Sequence, residues 1–189
     1  MKTITHRYTG EAITFVETVK DTGGKYLYIE VSLPPFGKGP PLHTHDAFEE
    51  EFEVISGTLT VTFNKETLQL NVGDKVLVPK FAKHTFNNTT DVPVTFRVKL
   101  TPGVYFEQSA RIHYGLMEDG FTKEDGSPAN MAHTALILMM QNTLVTSLPK
   151  FLQRMLFKSA IKKGMKNGSY DHLQKYIDEP LEDILKTFK

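Results

Sequence analysis

The chain contains no cysteine, which excludes disulfide staples, thiolate nucleophiles and sulfur-ligated zinc together. It also lacks an excess of charge of either sign. The 22 basic and 22 acidic side chains give a formal net charge of +0, so no global field draws the protein to nucleic acid or to an anionic membrane. Long hydrophobic runs are missing as well. The N-terminal MKTITHRYTGEAITF has no continuous apolar segment of the kind a secretory signal needs. The longest apolar candidate, ALILMM, falls far short of the roughly 18 residues of a spanning helix. A cytoplasmic protein with neither a nucleic-acid nor a membrane partner is the expectation.

What is present divides into two halves. Up to about Leu100, short runs rich in Val, Thr, Phe and Ile are separated by Gly, Pro and Asn: KYLYIEVSL, FEVIS, TLTVTF, ETLQL, KVLVP, HTFNN and VTFRVKL read as strands. In the last of these, Val94, Phe96, Val98 and Leu100 share one face and Thr95, Arg97 and Lys99 the other, the alternation of a strand with one wet face. Asn64-Lys65 reads as a hairpin tip. Many short strands with turns between them point to a sandwich or small barrel.

From about Val104 the period becomes helical. Phe106, Ala110, His113 and Met117 fall on one face before a stop at Asp119-Gly120. Ser127-Pro128 reads as an N-cap with proline at the first helical position. Pro149 starts a further helix, Ser169 reads as the cap of a short one, and Pro180 begins the last. We expect two domains, residues 1–103 and an α-helical extension, 104–189, packed on the first domain or on a dimer partner. The segment from Lys150 to Lys166 carries six positive charges and no negative one, over Phe151, Leu152, Met155, Leu156 and Ile161. It suits a membrane or protein surface, but the expectation is a helix docked by its apolar side, with acidic residues near the chain end balancing it.

The chemistry concentrates in GKGPPLHTHDAFEEEFEVISG, residues 37–57. Side chains two apart on a strand point the same way, so His43 and His45 can converge on one point. Glu50 shares its strand face with Phe52 and Val54, whereas Glu49, Glu51 and Glu53 share the opposite, wet face. A carboxylate among apolar neighbours needs a partner to offset desolvation, and a cation is the obvious one. His84, in GDKVLVPKFAKHTFNN, supplies a third imidazole. Three imidazoles and one carboxylate suit Fe, Mn, Ni, Cu, Co or Zn, and suit Ca or Mg poorly.

These residues resemble the two motifs of the cupins. The first, G-x5-HxH-x3-4-E-x6-G, fits as Gly37, His43, His45, Glu50 and Gly57; the second, G-x5-PxG-x2-H-x3-N, fits as Gly73, Pro79, His84 and Asn88. The spacing between them resembles that of small single-barrel bacterial cupins, and the likeness covers roughly Lys25 to Leu100. It implies a mainly β fold, a double-stranded β-helix or jelly-roll barrel. It also implies one transition-metal ion per barrel, held by His43, His45, Glu50 and His84. One position departs: Phe81 stands where the second motif has its internal glycine. Either the turn before His84 takes another shape, or Phe81 covers the barrel mouth. Asn88 is read as a turn residue rather than a ligand, and Phe52, Phe86 and Phe96 as core.

The resemblance implies a metalloenzyme acting on a small organic molecule inside the barrel, by dioxygenase-like, isomerase-like or decarboxylase-like chemistry. Likeness to flavonol dioxygenases implies that Glu50 leaves the metal transiently to act as the catalytic base. The rival reading is a metal-containing module that holds or senses a small ligand without turning it over. A third makes the helical tail the working surface, though no helix-turn-helix is evident. A homodimer is expected, because the apolar Ala135–Met140 segment needs cover.

Overall fold

A computed structural model describes residues 3–188. It separates into two compact units, one running through Val104 and the other beginning at Tyr105. In the first, ten strands are β1 (Thr3–Thr5), β2 (Ala12–Glu17), β3 (Leu27–Leu33), β4 (His43–Thr44), β5 (Glu49–Ser56), β6 (Leu59–Phe63), β7 (Glu66–Leu70), β8 (Lys75–Val78), β9 (His84–Asn87) and β10 (Val94–Thr101). They form two antiparallel sheets. One runs β1-β2-β3-β10-β5-β8; in the other, β4, β9, β6 and β7 lie side by side. This is the expected jelly-roll barrel.

Alternation builds its interior. Along β10, Val94, Phe96, Val98 and Leu100 are all buried, and on β3 Leu27, Ile29, Val31 and Leu33 do the same. The two strands pair directly, with Phe96 opposite Val31 and Leu100 opposite Leu27, so their apolar faces merge into one layer. Phe52, Phe86 and Phe96 meet in this interior, with ring centroids 5.2–6.1 Å apart. The β6–β7 hairpin closes at Asn64 and Lys65, whose φ values of 47° and 80° are the left-handed pair a two-residue hairpin demands. Strands β1 and β2 had no counterpart among the strands expected from the sequence.

The second unit contains α1 (Phe106–Glu118), α2 (Met131–Met140), α3 (Lys150–Lys166), a short 3-10 segment (Leu173–Tyr176) and α4 (Leu181–Lys186). Its core gathers Ile112, Leu116, Leu136, Met140, Ile161, Leu173 and Ile184 from all of them. Among the described residues, no helix is long and apolar enough to cross a membrane.

Three local expectations are corrected. Helix α2 is capped not by Ser127 but by Asn130, whose side chain accepts from the Ala132 amide at 2.8 Å. The Ser127 hydroxyl instead donates to Asp125 at 2.6 Å, because a carboxylate two residues back outcompetes a helix end. Ser169 likewise does not cap the short helix: its hydroxyl donates to Asn167 at 2.7 Å, and the 3-10 segment follows His172. On α3, only part of the apolar set forms the docked side: Ile161 is buried and Phe157, Ala160 and Met165 pack on the core, but Phe151, Met155 and Leu156 are 75%, 59% and 49% exposed. Gln153 takes a buried place instead, since its amide bonds both the N–H and the carbonyl of Val145 and the carbonyl of Leu148, at 2.7–3.0 Å.

Candidate metal centre

The barrel brings His43, His45, Glu50 and His84 together from both sheets. His43 on β4 lies directly opposite His84 on β9. His45 follows two residues on, and Glu50 enters from β5, where it pairs with Val78 on one side and Leu100 on the other. One ligand atom from each of the three histidines lies within 4.8 Å of the others, and all three side chains are buried. His43 Nε2 and His45 Nε2 are 3.0 Å apart; Glu50 Oε2 is 2.7 Å from His84 Nε2 and 3.8 Å from His45 Nε2. Among the described residues no other group of three such donors converges.

Each ring is held from behind. His43 Nδ1 lies 2.8 Å from the Pro41 carbonyl and His84 Nδ1 lies 3.2 Å from that of Ala82. A carbonyl can only accept, so Nδ1 carries the proton in both, and Nε2 keeps its lone pair for the centre. The His45 ring stacks on Phe48 at 4.2 Å and 26°. Its backbone carbonyl accepts from the Phe81 amide at 2.6 Å. Phe48 was not singled out from the sequence. Its signal was there: it shares strand parity with Glu50 and Phe52, two residues upstream of the inward carboxylate.

Phe81 resolves a question left open above. Its φ is 71°, so the turn keeps the left-handed shape for which the motif uses glycine. The side chain bears the strain and stands 63% exposed. Asn88 is a turn residue as expected, its amide donating to the carbonyls of Pro34 and Val92 at 2.8 and 2.7 Å. Glu51 is exposed and Glu53 pairs with Lys75 at 3.2 Å, on the face away from the histidines.

The electrostatics are those of a site short of positive charge. Burial drives His43 down to about 3, with the neighbouring His45 and His84 rings adding to the effect, so it stays neutral. Burial alone would push the Glu50 carboxyl up, but the imidazoles of His45 and His84 outweigh it and hold the group below the usual carboxylate range. For His84, burial pushes down and the Glu50 carboxylate more than reverses it. Glu50 Oε2 and His84 Nε2 are buried 2.7 Å apart, yet neither makes an aligned hydrogen bond. A buried polar atom left in this state costs on the order of 1–3 kcal/mol. A cation shared by all four groups would satisfy both atoms.

Comparison with known proteins places the barrel. Residues 29–101 match the family described as "Cupin domain". A curated relative, mannose-1-phosphate guanylyltransferase ManC of Salmonella typhimurium, is 26% identical over 94 residues, or 50% of this chain. The match spans only about a fifth (19%) of that relative's length. Among solved structures, a predicted oxalate decarboxylase of Thermotoga maritima is 18% identical, over 49% of this chain and 80% of its own, with a TM-score of 0.46. A sugar phosphate isomerase of Silicibacter pomeroyi is 26% identical, over 49% of this chain and 59% of its own, with a TM-score of 0.44.

Proposed function

Residues 29–101 form a cupin domain, and on that premise we propose that the barrel holds one divalent transition-metal ion through His43, His45, Glu50 and His84 and acts there on a small organic molecule. The observation that carries this reading is the convergence of three buried imidazoles on a buried carboxylate, with Glu50 Oε2 and His84 Nε2 left without aligned hydrogen bonds. The donor set favours Fe, Mn, Ni, Cu, Co or Zn. When bound, such an ion supplies Lewis acidity that stabilises negative charge developing on a substrate oxygen.

The chain's own residues supply the rest. The Pro41 and Ala82 carbonyls orient two rings, and Phe48 pins a third. Phe52, Phe86 and Phe96 fill the interior with apolar surface and exclude water from it. Glu50 is the group able to take a proton from a substrate. A dioxygenase-type reaction is one outcome of this arrangement; isomerisation and decarboxylation are others.

One observation favours a second reading, a module that binds a small ligand without turnover. Among the described residues of the barrel, the buried polar side chains besides the four are Thr44, Thr60 and Asn88, none of which titrates in the working range. Glu50 would therefore have to serve as both ligand and base.

Elemental analysis of protein purified without chelator tests the metal; a preparation with no transition metal that also takes up none on titration would sink the proposal. Oxygen uptake and substrate loss across a panel of enols, diketones and flavonols then separate the two readings. Turnover abolished in Glu50→Gln at a metal concentration raised until the weakened site is filled supports catalysis. Saturable ligand binding with no turnover of any panel member supports the binding module.

A further inference from the structure

A cavity of about 580 Å3 lies in the helical unit, outside the barrel, lined by Lys158, Ser159, Lys162, Met165, Lys166 and Phe188. Its volume is within the range of small-molecule pockets, roughly 300–1,000 Å3. Its walls combine apolar surface with one kind of charge. Lys158, Lys162 and Lys166 recur every four residues, so α3 presents them on one face. Like charges at that spacing destabilise a helix, and α3 holds no acidic residue to relieve them. Among the described residues no carboxylate pairs with these three lysines, whereas Lys186 pairs with Glu182 and Asp183 of its own helix and Lys175 with Asp119.

Met165 and Phe188 are half-buried against the helical core and form the apolar part of the lining. The same outward side of α3 continues into the exposed Phe151 and Met155. A self-complementary dimer contact here would set lysine rows against each other. A purely apolar occupant would leave them unrelieved.

We propose that this cavity binds a single-chain anionic amphiphile, its carboxylate or phosphate head held by Lys158, Lys162 and Lys166 and its hydrocarbon chain lying on Met165 and Phe188. The site is independent of the metal centre.

The test is calorimetric titration of the full chain with monomeric laurate and dodecyl phosphate, below the concentrations at which either forms micelles. Both should bind with one-site saturation, and added salt should weaken them. Dodecanol, which lacks the charge, and inorganic phosphate, which lacks the chain, should each bind roughly tenfold more weakly or less. The triple variant Lys158→Glu/Lys162→Glu/Lys166→Glu should lose the same factor while its melting curve stays that of the parent protein. If three glutamates disturb the fold, the triple Lys→Gln variant carries the same comparison. Phe188→Ser, which removes the apolar contact without adding charge, should weaken laurate but leave any inorganic phosphate binding unchanged. Equal affinity for dodecanol and laurate, or undiminished laurate binding in the triple variant, would overturn the proposal. Co-sedimentation with phosphatidylglycerol vesicles without binding of either monomer would overturn it too, assigning the lysines to a bilayer surface.

Discussion

Replacing Glu50 with Gln separates a buried ligand from its neighbours on the same strand. The change preserves shape and removes the negative charge. Glu50 is buried with Oε2 2.7 Å from His84 Nε2, while Glu51, one residue on, is exposed on the opposite face. Losing one of four donors weakens metal binding by at least roughly a hundredfold, the upper end of what even outer-shell partners are worth. At a metal concentration a hundredfold above the parent Kd, binding stabilises the fold by about 2.7 kcal/mol. For a chain of this size that raises Tm by about 5–11 °C. In Glu50→Gln the same metal concentration stands near the new Kd, and the rise shrinks to about 1–2 °C. Glu51→Gln should keep the full shift. The assay is thermal unfolding of each protein after chelation and after reloading with Co, Ni or Zn in turn. A full shift in Glu50→Gln, or a lost shift in Glu51→Gln, would refute the assignment of the inward face.

Other outcomes follow from the same geometry. In chelated protein, the lowered Glu50 contributes stability present above its unfolded pKa of about 4.3 and lost as pH falls through its folded value; the raised His84 contributes stability present below about 6.5 and lost as pH rises through its folded value. The stability difference between the parent and Glu50→Gln, measured by urea unfolding at a series of pH values, should therefore be widest between about 4.3 and 6.5; a flat difference would count against the pairing. Gly57→Ala should cost at least about 2 kcal/mol, because φ is +76° and a Cβ would stand 2.6 Å from the Pro93 carbonyl oxygen. Gly73→Ala, at φ +88° with open space around it, should cost only about 1 kcal/mol in the same melts. Phe81→Gly should be close to neutral, within about 1 kcal/mol, since relief of a left-handed φ offsets lost chain stiffness and a partly exposed ring. Phe81→Pro should be far worse, as it removes the amide that the His45 carbonyl accepts.

Much of the barrel was legible because alternation is a local code. Whether Val94, Phe96, Val98 and Leu100 share a face depends only on the two-residue period of a strand, and all four are buried. Glu50 was separated from Glu49 and Glu51 by the same parity. The unread strands β1 and β2 are short or partly polar: TIT has no apolar face to alternate, and AITFVE stands outside the motif-bearing stretch. Cap positions failed for a different reason. Ser127 and Asn130 are both competent N-caps, and the choice was made by a competing carboxylate, Asp125, and by the bridge that holds Pro128 to Thr122.

The sequence by itself determined the strand faces and the inward carboxylate, since parity follows from spacing along a chain of known geometry; the full donor set and the motif glycines came from its resemblance to the cupin motifs. Tertiary structure decided the rest. It set His84 across from His43, held the rings through the Pro41 and Ala82 carbonyls and the Phe48 stack, and kept the glycine-type turn with Phe81 in it. It also turned Phe151 and Met155 of α3 outward while burying Gln153. Periodicity tells which side chains share a face; which face is covered depends on elements far away in the chain, and no local pattern records them.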